Sequence, residues 1–202
     1  VEKPHNLSAI LRSCDAVGVL DAHAISNEDK NLPTFNSTAQ GSQKWVKLHN
    51  HKNVNILVKS LKESGFKLYG TILDEGSIDY RKCDFTGPTA FFLGAEKWGL
   101  SKETKELMDS YIYIPMRGMV QSLNVSVAAA TLLFEALRQR EEMGLVPANG
   151  EGLEEQLYEK IIFEWTYPEV AEWCRKKGLK YPNMNEKGEI IDKMPRNVKL
   201  KF

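Results

Sequence analysis

Three short stretches of this 202-residue chain carry polar or ionisable residues where a plain core segment has no use for them. In HNLSAILR, Asn6 stands at a helix start and Arg12 follows within two turns. In FFLGAEKWGLS, Glu96 sits in a glycine-flanked turn directly after an apolar run. Such a turn lies at the carboxyl end of a strand, where open α/β sheets bind their ligands. In IPMRGMVQSLNVSVAAA, a strand ends, a loop crosses Gly118, and a helix opens with Ser122 and Asn124. The small residues Ser126, Ala128, Ala129 and Ala130 then permit close backbone approach. Each stretch alone reads equally well as a helix cap or a surface charge. Three of them at the strand and helix ends of one sheet outline a site.

The second stretch also imitates a phosphate loop. Gly94, four residues, Gly99, Leu100 and Ser101 follow G-x-x-x-x-G-K-[ST] except that leucine replaces the lysine. Leucine cannot neutralise phosphate, and no apolar strand ends in an acidic metal ligand where one is needed, so the residues argue against nucleoside triphosphate chemistry. The dinucleotide pattern G-x-G-x-x-G is absent, as are a G-x-S-x-G elbow and a catalytic cysteine context. His49 and His51 form an H-x-H pair with no acidic or cysteine partner close in sequence, which reads as a solvent-facing loop. No metal is expected.

Alternating helix and strand signals must position these residues. NLSAILRSCDAVG reads as a helix capped by Asn6 or Ser8 and stopped by Gly18, followed by a strand, VLDAHAI. Residues 26–45 read as a polar loop. VNILVKSLKESG has Val54, Leu57, Val58 and Leu61 at helical spacing, and FKLYGTIL is a strand. PTAFFLG has the profile of a buried strand, Ser101 is an N-cap, SYIYIPM is a further strand, and SLNVSVAAATLLFEALRQREEMG is the longest helix. This order predicts an α/β domain over residues 1–147 with a mostly parallel sheet flanked by helices. A glycine-containing linker then leads into residues 148–202, expected as a helical and basic extension.

Lys+Arg and Asp+Glu are both 27, so net charge points to no partner. The distribution does. Residues 175–202 hold nine Lys/Arg against three acids, whereas residues 151–173 hold seven Glu against Lys160. A basic end beside an acidic segment points to an anionic partner or to a solvated helix pair. Cys14, Cys83 and Cys174 are dispersed and odd in number, which favours a reducing cytoplasm over a disulfide framework. No apolar run approaches the roughly 20 residues of a membrane span, so no membrane partner is expected.

In this order the three stretches resemble motifs 1, 2 and 3 of the SpoU branch of the SPOUT RNA methyltransferases. NLSAILR resembles motif 1, FFLGAEKWGLS motif 2 and IPMRGMVQSLNVSVAAA motif 3, over roughly residues 3–140. The region from Ile162 through WTYPEVAEWCRKKGLKYPNMNEKGEI resembles the C-terminal extension of the branch that methylates guanosine 18 of tRNA, as does NSTAQGSQKWV a Gly-Ser…Trp-Val segment there. The resemblance implies a deep trefoil knot in the C-terminal part of the domain, an exception to the rule against knots. It implies S-adenosyl-L-methionine bound in that knot through loop backbone, with S-adenosyl-L-homocysteine as product, and a homodimer whose active site is completed across the interface.

By motif position Arg12 matches the catalytic arginine of the family, with Asn6 and Glu96 positioning it and the motif loops. Ser122 and Asn124 shape the pocket. Thr71, Gly94, Ile114, Met116 and Leu123 match the cofactor contacts. Arg138 and Arg140 match tRNA contacts on the long helix, and Arg175, Lys176 and Lys177 supply a basic tail for tRNA. A guanidinium hardly deprotonates, so its expected role is to anchor the adjacent phosphate in a bidentate fork while polarising the hydroxyl. Family members carry a helical arm before motif 1; here motif 1 starts within six residues of Val1, so either the sequence is cut short of that arm or RNA binding leans more on the tail. Two alternatives stand: a SpoU enzyme acting on ribosomal RNA or another tRNA nucleotide, and a non-catalytic RNA-binding protein on the same scaffold.

Overall fold

The computed structural model describes residues 3–26, 44–95, 98–147 and 152–192. The chain divides into two compact units, Val1–Val146 and Pro147–Phe202.

The first unit opens with helix α1, Pro4–Ala16. The helix starts earlier than Asn6 or Ser8, the caps expected from sequence. Pro4 sits in its first turn and Lys3 precedes it without a side-chain cap. Proline has no N–H to satisfy and a φ already set for a helix, so it begins one unaided. Asn6 and Ser8 are therefore interior residues, and the buried Ser8 hydroxyl donates to the Pro4 carbonyl at 2.9 Å. Strands β1, Asp21–Ile25, and β2, Lys47–His51, pair in parallel with Asp21 opposite Lys47 and Ile25 opposite His51. Helix α2, Val54–Glu63, is capped by Asn53, whose side chain accepts from the Asn55 N–H at 2.7 Å.

The main sheet has β3, Lys67–Thr71; β4, Ile78–Asp79; β5, Thr89–Phe92; and β6, Ser110–Tyr113. Its order is β4-β6-β3-β5, and every pairing is parallel. Short helix α3, Lys102–Glu106, precedes β6, and the 18-residue α4, Val125–Glu142, follows it. The expected α/β class with parallel strands and flanking helices is what is found.

Side chains alternate across β3 and so divide the core between its faces. Leu68 packs with Val54, Val58, Phe92 and Leu100 under α2. Tyr69 packs with Phe85, Ile112, Leu132 and Ala136 under α4. Tyr69, Phe85 and Phe91 meet edge to face or tilted, with centroids 5.0–6.3 Å apart. On another side of α4, Leu133 joins Leu11, Cys14 and Val46, which docks α1 on α4.

The second unit holds α5, Glu155–Thr166, and α6, Pro168–Lys177. Pro168 starts α6, and Gly178 stops it at φ +64°, a left-handed cap that glycine adopts without strain. Phe163, Val170, Ala171 and Cys174 form its core, with Tyr167, Tyr181, Met184 and Ile190 packed against them. The segment after α6 folds back through a Met184–Ile190 bridge and a Tyr167 hydroxyl bond to the Gly188 carbonyl at 2.9 Å. Among the described residues no helix is long and apolar enough to cross a membrane.

Candidate active site

Strands β6, β3 and β5 are neighbours and parallel, so their carboxyl ends share one edge of the sheet. That edge gathers Thr71 at the end of β3, Gly94 just past β5 and Ile114 just past β6. The Thr71 hydroxyl donates to the Phe92 carbonyl at 3.1 Å, tying two of the ends together. The loop after β5 then closes on itself. Ala95 N–H donates to the Gly99 carbonyl at 3.0 Å, and Gly99 N–H returns the bond to Ala95 at 2.8 Å. A Cβ on Gly94 would lie 2.2 Å from the Gly99 carbonyl carbon, so this closure admits only glycine.

Leu100 turns inward from the loop and is only 8% exposed. It packs over Gly70, where an added Cβ would already lie 3.0 Å from Leu100 Cδ1. The residue standing where a phosphate loop has its lysine is thus a core residue. Ser101 next accepts from the Thr104 N–H at 3.2 Å and caps α3, as expected. Glu96 lies outside the described residues.

Residues 114–124 cross from β6 to α4 without regular structure. Ile114, Met116 and Leu123 are half-buried along this crossing, and Ser122 is exposed. Asn124 ends it as the cap of α4. Its Oδ1 accepts from the Ser126 N–H at 2.8 Å and the Ser126 hydroxyl at 2.7 Å. With Oδ1 so used, Nδ2 faces the other way and donates to Asn6 Oδ1 at 3.2 Å. A residue near the start of the chain is thereby tied to the mouth of the longest helix. Arg12 lies six residues beyond Asn6, about 240° around α1. Its side chain is exposed and, among the described residues, makes no hydrogen bond or ion pair. The structure joins Asn6 to Asn124 and leaves Arg12 apart from both.

The two arginines on α4 have partners. Arg138 donates to Glu135 through Nε and Nη2 and to Glu142 through Nη1. These bonds hold the Glu135 carboxyl below its ordinary range, against the effect of burial. Arg140 donates to the Phe85 carbonyl at 3.1 Å and the Gly87 carbonyl at 2.8 Å, bracing the approach to β5. In the second unit Arg175, Lys176 and Lys177 form the exposed last turn of α6, where cations suit the helix dipole. Arg175 reaches Glu164 at 3.2 Å and Lys176 reaches Glu172 at 2.6 Å.

One constellation escaped the sequence. His49 and His51 lie on strand β2, not on a loop, and the parallel pairing sets them beside His23 and Asp21. His49 Nε2 meets Asp21 Oδ1 at 2.7 Å, and His23 Nδ1 meets His51 Nε2 at 2.9 Å. Burial and the two neighbouring imidazoles push the His23 pKa down, which Asp21 partly opposes. Among the described residues no group of three or more His, Cys, Asp or Glu is arranged to hold a metal. The signal was an alternation too polar and too short to mark a strand until β1 was set beside it.

Residues 1–134 match the SpoU rRNA Methylase family, and residues 138–193 match the family description "SpoU, rRNA methylase, C-terminal". The chain belongs to the SpoU methylase family. This SpoU methylase is 55% identical over 165 residues to a tRNA (guanosine(18)-2'-O)-methyltransferase of Thermus thermophilus, covering 82% of this chain and 84% of that one. Its fold is similar to the crystal structure of the Aquifex aeolicus TrmH/SpoU tRNA modifying enzyme, with a TM-score of 0.77 and 42% identity over 84% of this chain and 85% of that chain. It is also similar to the SpoU methyltransferase AviRb from Streptomyces viridochromogenes in complex with AdoMet, with a TM-score of 0.63 and 31% identity over 69% of this chain and 57% of that one.

Proposed function

We propose that this SpoU methylase transfers the methyl group of S-adenosyl-L-methionine to a ribose 2'-hydroxyl in tRNA, that of guanosine 18 in the D-loop. The observation that carries the reading is the likeness to guanosine-18 enzymes at 55% identity, joined to a C-terminal match that runs through residues 138–193. On this reading residues 1–147 are the catalytic domain and residues 148–202 an extension that meets tRNA.

The residues at the strand-end edge suit the cofactor. Ile114, Met116 and Leu123 offer apolar surface that is half-buried rather than closed over. Thr71 and Gly94 lie at the same edge, and no side chain of the five carries a charge. A neutral adenosine needs this mixture of apolar walls and backbone groups. We place the cofactor against these five residues, with the crossing at residues 114–124 threaded as the deep trefoil knot. When bound, the sulfonium supplies an electrophilic methyl group that an in-line oxygen can take.

The chain's own residues then have to hold the ribose and manage one proton. Asn124, fixed by its cap and by Asn6, holds the helix mouth in place, with Ser122 beside it. Glu96, which stands between Gly94 and Gly99 in sequence, keeps the role of positioning the motif loops that the resemblance implies. Arg12 anchors the phosphate next to the target ribose and polarises the 2'-hydroxyl, and that phosphate takes the proton. Because Arg12 stands apart from Asn6 and Asn124 and is exposed, we assign it to the site of a second copy. Met119, 99% exposed, with Val120, Val127 and Phe134 gives the first unit the apolar surface that a homodimer needs. Arg175, Lys176 and Lys177 contact tRNA. Arg140 has a guanidinium edge left for RNA, and Arg138 contacts RNA by exchanging Glu135 or Glu142 for phosphate.

Arg12→Ala tests the assignment. The variant is expected to lose methyl transfer to an unmodified tRNA transcript while binding S-adenosyl-L-methionine as the parent does in calorimetry. Near-normal turnover by purified Arg12→Ala would remove Arg12 from the mechanism.

A further inference from the structure

We infer that the second unit carries a seat for one nucleotide of the RNA, in a recess lined by Lys160, Arg175, Leu179, Lys180 and Tyr181. The inference rests on the reading of the chain as a tRNA methylase and adds the place where its extension grips the RNA.

The recess has a volume of about 350 Å³. It is shallow and open to solvent, with room for a single nucleotide to lie against it rather than be enclosed. Its walls come from three neighbouring pieces of chain. Lys160 lies on α5, Arg175 on the last turn of α6, and Leu179 to Tyr181 on the segment that leaves the Gly178 cap.

The charges are sorted before any ligand arrives. Glu164 accepts from Arg175 Nη1 at 3.2 Å and from the Tyr181 hydroxyl at 2.6 Å, which consumes its charge inside the fold. Burial and the bond to Glu164 push the Tyr181 hydroxyl up to about 12, so it remains a donor to Glu164 at neutral pH. Among the described residues, Lys160 and Lys180 make no ion pair and are exposed. The recess therefore shows two uncommitted ammonium groups, with an Arg175–Glu164 pair beside them. That is a positive rim, drawn mostly from the basic end of the chain and completed by Lys160 from the acidic segment before it.

The floor is apolar and stiff. Leu179 is 51% exposed. The Tyr181 ring is stacked on Phe163 with centroids 4.8 Å apart and planes 15° apart, and Phe163 is buried in the core of the unit. A flat, pre-packed apolar surface under a cationic rim matches a nucleotide, whose base seeks apolar contact and whose phosphates seek lysine. An acidic peptide would use the rim and leave the floor idle.

The test is equilibrium binding of a fluorescent unmodified tRNA transcript to the full chain, measured by anisotropy across a range of salt concentrations. Lys160→Ala/Lys180→Ala is expected to weaken binding about tenfold and to make the log Kd against log salt slope shallower by about 1.4, as two single-strand phosphate contacts require. Leu179→Ser is expected to weaken binding about fivefold with the salt slope unchanged, the signature of a lost base contact. Far-UV circular dichroism verifies that both variants fold. Parent-like Kd and slope in the double variant overturn the seat. So does parent-like binding by Leu179→Ser, which would leave only a backbone phosphate contact. Methyl transfer to the same transcript is followed in parallel. Parent protein that binds without methylating would overturn the methylase reading and leave the seat to be judged on the same Kd comparison. Parent protein that does not bind tRNA overturns both.

Discussion

Asn124 does two jobs with its two ends, and substitutions can separate them. Its Oδ1 caps α4 through Ser126, and its Nδ2 reaches Asn6 at 3.2 Å. Asn124→Ala removes both. A lost N-cap costs about 1 kcal/mol, and a lost side-chain hydrogen bond about another 1 kcal/mol. For a unit of this size about 2 kcal/mol corresponds to a fall in Tm of about 6 °C. Asn124→Ser keeps a good cap, because a serine hydroxyl also accepts from the first helical N–H groups, yet it is too short to reach Asn6. It is therefore expected to lose about 1 kcal/mol and about 3 °C. Activity should divide differently. Both variants break the tie between α1 and the helix mouth, so both should lose about fivefold in turnover, the equivalent of about 1 kcal/mol in the barrier. Differential scanning calorimetry and methyl transfer at saturating tRNA give the two readouts. Equal Tm losses would refute the capping role, and parent-like turnover in Asn124→Ser would refute the bridge.

Two further predictions concern the scaffold. Leu100→Lys restores the letter that a phosphate loop would have, but it drives an ammonium into the cluster of Val54, Val58, Leu68 and Phe92. It should cost about 3 kcal/mol or more, lower the urea midpoint by about 1 M, and create no ATP binding; a stable variant that bound ATP would contradict this packing. Burial alone would raise the Asp109 carboxyl, but the Leu68 N–H at 2.8 Å and Lys62 at 3.0 Å outweigh it and hold the group below its ordinary value. Its stabilisation is thus fully present above the usual carboxyl range of about 4 and is lost as pH falls through the lowered folded value. Asp109→Asn should be less stable by about 1 kcal/mol at pH 7 and lose less on acidification across that window, read from Tm against pH; parallel acid profiles would contradict it.

The parts of the fold that repeat a local physical rule were legible in the sequence. The spacing of Val54, Leu57 and Val58 marked α2, the apolar run before Gly94 marked β5, and Ser101 marked its own cap. Asn124 was legible as the opening of a helix because small residues follow it. The start of α1 was misplaced because Asn6 looks like a cap, whereas Pro4 does the work through its fixed φ. The strand at residues 47–51 was missed because KLHNH has no apolar face of its own and is fixed by pairing with β1. Leu100 could be read as a missing lysine only because its burial depends on Gly70, which lies thirty residues earlier. The Asn6–Asn124 bond spans 118 residues and has no local signature at all; motif resemblance placed both residues in one site. The separation of Arg12 from that bond is set by helical rotation.

The most direct test of the central claim is to map the product. An unmodified tRNA transcript is incubated with the protein and S-adenosyl-L-methionine, digested, and sequenced by mass spectrometry. The account predicts a single added methyl group, on the 2'-oxygen of guanosine 18, and none on a transcript carrying 2'-deoxyguanosine there. A methyl group on another nucleotide or on a base, or no methyl group at all, would contradict it.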